Sequence, residues 1–386
     1  MDSDVIQMLR FPLALMVVFL HAEPNIDGWT VEGMVYNQWH ANTVGLIFSS
    51  ISHVLVQTAV PLFFIISGFL FFRNLYSWDA PTWRRKMKSR AITILIPYII
   101  WVCIFTVSHL LRHTPSDLSN WLSNHGGLIG IFWNSQNWIA GGTNILGQRI
   151  MMSGPFAYHL WFLRDLMIAF ALTPIYYLIL SCGRNGKIRI FSILVLCLLA
   201  VVYLLQIQNK FLGVNYSTVF FFGFGSFLSL NKLSLVHTLY RYRRPSWILF
   251  FILMLILTFM DGGRTQAGSL LMPVFILVGC VAVIDFAAWW IFSDRELSLS
   301  LKYENASFFL YIIHPFFLSI VWSMLTSLVS TFIDFNGFTI SFVNSHPIIS
   351  IVLFFIKVGL AVLISLLTYK TMKFIFPKTT ALLCGR

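Results

Sequence analysis

Two side chains that suit acid–base chemistry lie in the first apolar segment of the chain, residues 5–22. Arg10 and His21 are eleven residues apart, which in a helix is three turns plus roughly 20° at about 100° per residue. Both side chains therefore project from one face, about 16 Å apart along the axis. An imidazole accepts a hydroxyl proton at neutral pH and a guanidinium binds anions, which indicates the two ends of one site. The alternative is that both reach the headgroups at the ends of a membrane span.

The composition is that of a polytopic membrane protein. Of the 386 residues, 58% are hydrophobic and 10% are charged, and the mean hydropathy is +0.80, whereas soluble proteins carry about 25% charged residues. The acidic N-terminal residues lack the basic region of a secretory signal, so we expect the first helix to be retained. The net charge of +12 fits basic loops that orient a membrane protein better than a nucleic-acid partner.

Ten apolar runs of about 16 to 28 residues predict ten transmembrane helices in a single all-α domain over residues 1–386, with no appended soluble domain. The runs are residues 5–22, 44–72, 91–111, 157–181, 188–206, 214–230, 246–261, 267–292, 305–330 and 348–372. The second run contains Pro61 and is long enough to be tilted or broken. Basic residues concentrate in alternate connections, and the others hold only Arg112, Arg149, Lys210 and Arg264. Both termini are then cytoplasmic by the positive-inside rule.

Several polar residues lie where a membrane helix would face lipid. Ser67 and Gly68 interrupt an aromatic run, either as a helix contact that lets two backbones approach or as a groove for an extended ligand. Lys357 is deep in the last run, with Asp285 as a candidate partner. The other candidates are His159, Trp161 and Arg164 near the outer end of the fourth run, and His314 near the middle of the ninth.

These intramembrane groups are mostly cations and imidazoles, which favours an anionic ligand over a pathway for cations. Trp161 and Arg164 fall on one helical face, whereas the neighbours Arg164 and Asp165 are expected to point in different directions. The five cysteines show neither a pairing pattern nor metal-ligand spacing, so we expect no disulfide and no metal site. Aromatic residues in the outer segments 23–43 and 112–156 form either an interfacial belt or a surface that stacks on sugar rings.

Five sequence patterns follow one another along most of the chain. They are Arg10 and His21 with ten residues between them, PLFFIISGFLF at 61–71, the basic run 86–97 followed by Tyr98 and Trp101, HLWFL at 159–163, and FFLYIIHPF at 308–316. Together they resemble the membrane-bound acyltransferase-3 family, multi-pass enzymes that acylate envelope carbohydrates. One departure is Pro12, which is expected to be tolerated in the first turns of a helix.

The resemblance implies transfer of an acyl group, expected to be acetyl, from cytoplasmic acyl-CoA to a hydroxyl of a cell-envelope carbohydrate at the outer face of the membrane. Acetyl-CoA would be a co-substrate, with no permanently bound cofactor, and the membrane would be the bacterial cytoplasmic membrane. Some members carry a C-terminal hydrolase-like domain. This sequence ends at Arg386 without one, so we expect transfer to finish in the membrane core or on a separate extracytoplasmic partner.

Roles for individual residues follow from that chemistry. His21 is the expected general base, and Arg10 holds a CoA phosphate or orients the site. Ser67 and Gly68 would border the acyl-CoA arm; Ser67 as a nucleophile is the weaker alternative, because the sequence shows no base beside it. The CoA head group would bind an inner basic cluster, unless that cluster only orients the protein. The cluster is Arg84, Arg85, Lys86 and Arg90, and the acceptor or supporting residues are His159, Trp161, Arg164, His314 and Lys357.

Two other functions fit parts of the pattern. A carrier or flippase for a lipid-linked sugar or an organic anion would also use buried cations and outer aromatic residues. It does not explain why an arginine and a histidine share one face of the first helix. A structural or assembly subunit of an envelope complex is the third alternative.

Overall fold

All ten apolar segments of the sequence form helices. The computed structural model describes residues 2–22, 43–75, 78–112, 115, 117–181, 186–206, 215–260, 262–293, 303–333, 335 and 340–386. Most of the outer segment 23–43, with its aromatic residues, lies outside these ranges. The chain divides into two compact units, one formed by Ser3–Ala59 with Tyr242–Ile375 and the other by Val60–Arg241 with Asp2 and Phe376–Arg386. We refer to them as the first and second units.

The α-helices and strands follow in chain order. They are α1 (Asp2–His21), α2 (Thr43–Phe48), α3 (Ala59–Phe72), α4 (Ala80–Arg90), α5 (Ile96–Arg112), α6 (Leu118–Asn124), α7 (Gly127–Trp133), β1 (Gln136–Thr143), β2 (Arg149–Gly154), α8 (Trp161–Ala171), α9 (Thr173–Leu180), α10 (Gly186–Leu204), α11 (Tyr216–Leu230), α12 (Leu235–Tyr240), α13 (Arg243–Phe259), α14 (Gln266–Phe292), α15 (Ser307–Val329), α16 (Ile340–Ser345), α17 (Pro347–Ile375) and α18 (Pro377–Leu383). Pro12 lies in the interior of α1 rather than in its first turns.

Six helical runs in the described part of the chain are long and apolar enough to cross a membrane. They are Asp2–His21, Thr43–Phe72, Ala80–Arg112, Gln266–Phe292, Glu304–Val329 and Pro347–Ile375. A seventh is obtained if Tyr158–Ala171 and Thr173–Leu180, which are bent by 57° at their junction, count as one span. Ile188–Leu204 and Tyr216–Leu230 are apolar but shorter. The chain is therefore a multi-pass membrane protein, while the number of ten spans and the cytoplasmic termini remain predictions.

The structure departs from an all-α fold in the segment 112–156. β1 and β2 pair antiparallel, with Asn137 opposite Ser153, and the register is irregular between Ile139 and Thr143. The Asn144 side-chain oxygen accepts hydrogen bonds from the backbone N–H groups of Leu146 and Gln148, which closes the turn.

The second apolar run forms one helical run that changes helix type before Pro61. A π-helix, Ser49–Val54, and a 3₁₀ turn, Leu55–Thr58, separate α2 from α3. Pro61 lies in the first turn of α3, and its ring would clash with a carbonyl of a regular helix before it. The serines of the π-helix bond to carbonyls: Ser49 donates to Thr258 and Ser52 donates to Phe19.

The core of the first unit joins α1, α2, α15 and α17. Its buried apolar side chains include Ala14, Val18, Leu310, Leu318 and Phe354. In the second unit, α3 and α11 approach closely through two glycines. A Cβ on Gly68 would lie 2.2 Å from the Phe222 carbonyl oxygen, and one on Gly225 would lie 2.0 Å from the Ile65 oxygen. Glycine is therefore required at both positions for this helix contact.

Candidate active site

Arg10 of α1 forms an ion pair with Glu304, which lies just before α15. The Arg10 side chain is 40% exposed and that of Glu304 is 16% exposed, so the pair is open on the arginine side. The Phe11 and Tyr303 rings lie beside it, with centroids 5.5 Å apart. The guanidinium is thus oriented by a carboxylate while part of its surface stays accessible to an anion.

His21, one residue before the end of the described part of this segment, stacks on His314. Their ring centroids are 5.1 Å apart and the interplanar angle is 28°. His314 is fully buried, whereas His21 is partly exposed. Because Arg10 contacts Glu304 and His21 contacts His314, both side chains of α1 face the same neighbouring helix, as their spacing predicts, and α1 and α15 run in the same direction.

The orientation of the His314 ring is set by a backbone group. Its Nδ1 lies 2.6 Å from the carbonyl oxygen of Tyr311. A carbonyl only accepts, so Nδ1 carries the proton, and in the neutral ring Nε2 is the acceptor nitrogen. A buried imidazole held in one tautomer is suited to positioning a second ring or a proton beside it.

Two side chains from elsewhere in the first unit hold the C-terminal end of α1. The last carbonyls of a helix have no partner within the helix. The Ser52 hydroxyl donates to the Phe19 carbonyl over 3.0 Å, and the Lys357 ammonium donates to the Ala22 carbonyl over 3.0 Å. Lys357 is 6% exposed, and its charge is favourable at this negative end of the helix. His21 therefore lies between two fixed carbonyl groups.

Lys357 has an aromatic partner as well. Its Nζ lies 4.8 Å from the centroid of the Trp322 ring, a cation–π contact. The carboxylate considered as its partner from sequence, Asp285, instead accepts a hydrogen bond from the Trp247 indole over 3.0 Å. Lys357 thus contacts a helix end and an indole, both of which interact favourably with a positive charge.

The first unit therefore groups a guanidinium, two imidazoles and an ammonium. Such a set can bind an anion, accept a proton from a hydroxyl and stabilise developing negative charge. Within the described ranges, no three His, Cys, Asp or Glu side chains cluster as a metal site requires.

In the second unit, Arg164 and Asp165 form a fully buried ion pair, with Arg164 Nη2 2.6 Å from Asp165 Oδ1. The expectation that these neighbours point in different directions was wrong, because the long arginine side chain curls back over its neighbour. Arg164 also donates to the carbonyls of Trp133 and Ser153. Asp165 accepts from the backbone N–H of Asn215 over 2.9 Å. This network joins α7, β2, α8 and the start of α11.

The basic residues of α4 differ in their exposure and contacts. Arg84 and Arg85 are exposed, whereas Lys86 is partly buried and donates to the Phe71 carbonyl over 2.5 Å. Arg90 lies over the Phe170 ring, 5.1 Å from its centroid. The start of α4 is fixed separately by Asp79. Hydrogen bonds from Thr82 hold the pKa of the Asp79 carboxyl below its usual value.

The remaining residues selected from the sequence have mostly aromatic or backbone neighbours. His159 is 4% exposed, and its ring lies edge-on to that of Phe105. The ring centroids of Trp161 and Phe64 are 6.4 Å apart. The close contact with Phe222 accounts for Gly68 as a helix-packing residue, and Ser67 beside it is partly buried. Binding roles for these four residues remain predictions.

Glu304 and Trp322 were not predicted from the sequence. A signal for Glu304 exists, because it precedes His314 by ten residues, nearly the spacing of Arg10 and His21 on the helix that it contacts. Trp322 had no comparable signal, since tryptophan is common in membrane helices.

Residues 4–370 match the family model of acyltransferase-3, described as an acyltransferase domain. No curated protein and no solved structure gives a significant match. The match covers nearly the whole length and includes α1, α15 and α17, which carry the candidate site. The chain therefore belongs to the acyltransferase-3 family of membrane acyltransferases.

Proposed function

We propose that the protein transfers an acyl group, acetyl in the simplest case, from cytoplasmic acyl-CoA to a hydroxyl of a cell-envelope carbohydrate at the outer face of the bacterial cytoplasmic membrane. Family membership supports the acyl transfer. The observation that carries the proposal is the stacked pair of His21 and His314 at the end of α1, where Lys357 binds the adjacent carbonyl.

His21 is the general base in this proposal. It is the more exposed of the two rings, so an acceptor hydroxyl can reach it. Its imidazole takes the hydroxyl proton while the oxygen attacks the thioester carbonyl. The carbon–sulfur bond of the resulting tetrahedral intermediate then breaks, and the leaving thiolate takes the proton from the imidazolium. The products are the acylated hydroxyl and free CoA thiol, and no further reactant is needed.

The other groups of the first unit have supporting roles. His314, fixed by the Tyr311 carbonyl, positions the His21 ring. The Lys357 ammonium holds the end of α1 and favours negative charge on the intermediate. Arg10, accessible beside Glu304, binds a phosphate of the donor. In the second unit, Arg84 and Arg85 are exposed, and their positive charge attracts polyanions such as CoA.

The acceptor and the completion of transfer are parts of the same proposal. His159, Trp161 and Arg164 would border the carbohydrate, and a separate extracytoplasmic partner would complete transfer if the membrane core does not. The buried cations also suit a carrier for a lipid-linked sugar or organic anion. Transport by such a carrier does not require a general base, so it does not explain the stacked pair of His21 and His314.

Incubation of membranes with acetyl-CoA, radiolabelled in the acetyl group, separates these functions. We expect free CoA to be released and label to appear in envelope glycan, in proportion to the amount of protein. Transport of a lipid-linked sugar without CoA release would point to the carrier, and a requirement for the protein without any turnover would point to an assembly subunit. Mass spectrometry of glycans from a deletion strain would identify the acceptor.

A further inference from the structure

A cavity of about 480 Å³ lies in the second unit, where α3, α9 and α11 end. Ligand pockets have volumes of about 300–1,000 Å³. By the distribution of basic residues, this end of the three helices is the cytoplasmic one. None of the residues selected from the sequence lines the cavity. Its lining includes charged, polar and aromatic side chains, among them Asp2, Arg73, Asn74, Trp78, Tyr177 and Lys232.

Two aromatic rings that stack on each other form part of the wall of the cavity. The rings of Trp78 and Tyr177 are nearly parallel, with centroids 5.0 Å apart and an interplanar angle of 17°. Flat aromatic side chains of this kind are the surfaces on which nucleobases stack. A lipid phosphate or free phosphate gains nothing from such a wall.

The polar groups of the cavity include both donors and acceptors. Arg73 and Lys232 supply two cations, and hydroxyls line it as well. The Asp2 carboxylate is engaged by the Ser234 hydroxyl over 2.8 Å. The carbonyls at three helix ends disfavour a bare phosphate, whereas the two cations can bind the phosphates of a nucleotide whose base lies on an aromatic ring.

Two residues of the cavity have an unusual backbone conformation. Asn74 and Lys232 have φ values of 57° and 55°, in the left-handed region that favours glycine. Asparagine is a common residue at such a helix end, but lysine is not. A cation is therefore present where glycine would be less strained, and strained residues cluster at ligand sites.

We propose that this cavity binds the nucleotide part of the acyl-CoA donor, with the base on the stacked pair of Trp78 and Tyr177 and a phosphate on Arg73 and Lys232. This inference rests on the proposed function, because acyl-CoA is the donor there. It adds a nucleotide site in the unit that contains α4, so that the exposed arginines of α4 attract the donor and the cavity retains it.

The test measures binding of CoA and of pantetheine, which lacks the nucleotide, to the purified full-length protein in a detergent free of anionic lipid. Lys232→Gln and Tyr177→Leu are compared with the wild type, and Lys378→Gln, an exposed lysine of α18, is the matched control. Loss of one charge-assisted contact, as in Lys232→Gln, or of one stacking ring, as in Tyr177→Leu, weakens binding about tenfold or more. We expect this loss for CoA in both variants, with unchanged binding of pantetheine and an unaffected control.

Acetyl-CoA turnover in the same preparations separates the two proposals. A raised KM for acetyl-CoA with retained kcat in Lys232→Gln supports the cavity as the donor site. If the wild type consumes acetyl-CoA and both variants bind CoA as tightly as it does, the cavity proposal is overturned and the acyltransferase proposal stands. If the wild type neither binds CoA nor consumes acetyl-CoA, both are overturned.

Discussion

The imidazole rings of His21 and His314 stack with their centroids 5.1 Å apart, which joins the end of α1 to the middle of α15. Ten residues before His314 in the chain, Glu304 pairs with Arg10, which lies on α1 together with His21. Two separate contacts with a segment far away in the sequence thus hold the proposed base, His21, and the proposed anion-binding group, Arg10, in the first unit. Each contact leads to a separable prediction about the proposed acyl transfer.

His314 is predicted to act through its nitrogens rather than through its shape. His314→Phe keeps a ring to stack on His21 but removes Nδ1, which is fixed by Tyr311. We expect kcat for acyl transfer to fall about 10²-fold, in the range seen for acid–base groups, with KM for acetyl-CoA nearly unchanged. His346→Phe is the control, because His346 also stacks on a ring, that of Phe342. Wild-type kcat in His314→Phe would leave His314 only a packing role.

Arg10 and Glu304 are predicted to have opposite effects on donor affinity. Removing the guanidinium in Arg10→Ala weakens acyl-CoA binding. Removing the carboxylate in Glu304→Ala leaves Arg10 more available to a phosphate, so the apparent affinity should rise. The pair is partly exposed, so we expect its contribution to stability to be no more than about 1 kcal/mol. Equal losses of affinity in both variants would mean that the pair serves structure alone.

Lys357 is predicted to position the end of α1. Lys357→Met preserves length and apolar packing but leaves the Ala22 carbonyl without the ammonium. We expect kcat to fall at least about tenfold, because small displacements of a catalytic group are costly, and Lys357→Arg to restore part of it. Lys373→Met, an exposed lysine of the same helix, should behave as wild type. Amide hydrogen exchange near His21 should increase in Lys357→Met only; unchanged exchange would argue against this positioning role.

Gly68 is predicted to be required for packing of α3 on α11. In Gly68→Ala the new Cβ would meet the Phe222 carbonyl at 2.2 Å, so we expect a loss of about 1–3 kcal/mol of stability. Gly359→Ala is a helical control in which the Cβ meets no atom within 4 Å; it should be neutral or stabilising by about 0.5–1 kcal/mol. Thermal unfolding in detergent measures both. A Gly68→Ala protein as stable as wild type would show that the two backbones are not in close contact.

The helical segments and the common face of Arg10 and His21 could be predicted because apolar runs and helical periodicity are properties of the local sequence. The hairpin of β1 and β2 could not. Its first strand, QNWIAGGT, contains two glycines and lacks the regular alternation of a strand.

Contacts between residues that are far apart in the sequence could not be predicted either. Glu304 is 294 residues from Arg10, and no local pattern connects them. The Arg164–Asp165 pair failed for a different reason, because a rule based on Cβ directions ignores how far a guanidinium can reach. The carbonyls that Ser52 and Lys357 bind belong to the backbone, so sequence carries no signal for these contacts.

The central claim is that His21 accepts the proton of the acceptor hydroxyl. The direct test is the rate of acetyl transfer from radiolabelled acetyl-CoA to glycan by His21→Ala, in membranes that contain equal amounts of folded protein. His237→Ala, an exposed histidine of α12, is the control and should retain the wild-type rate. We expect the His21→Ala rate to fall about 10²- to 10⁴-fold. A rate close to that of the wild type would contradict the account.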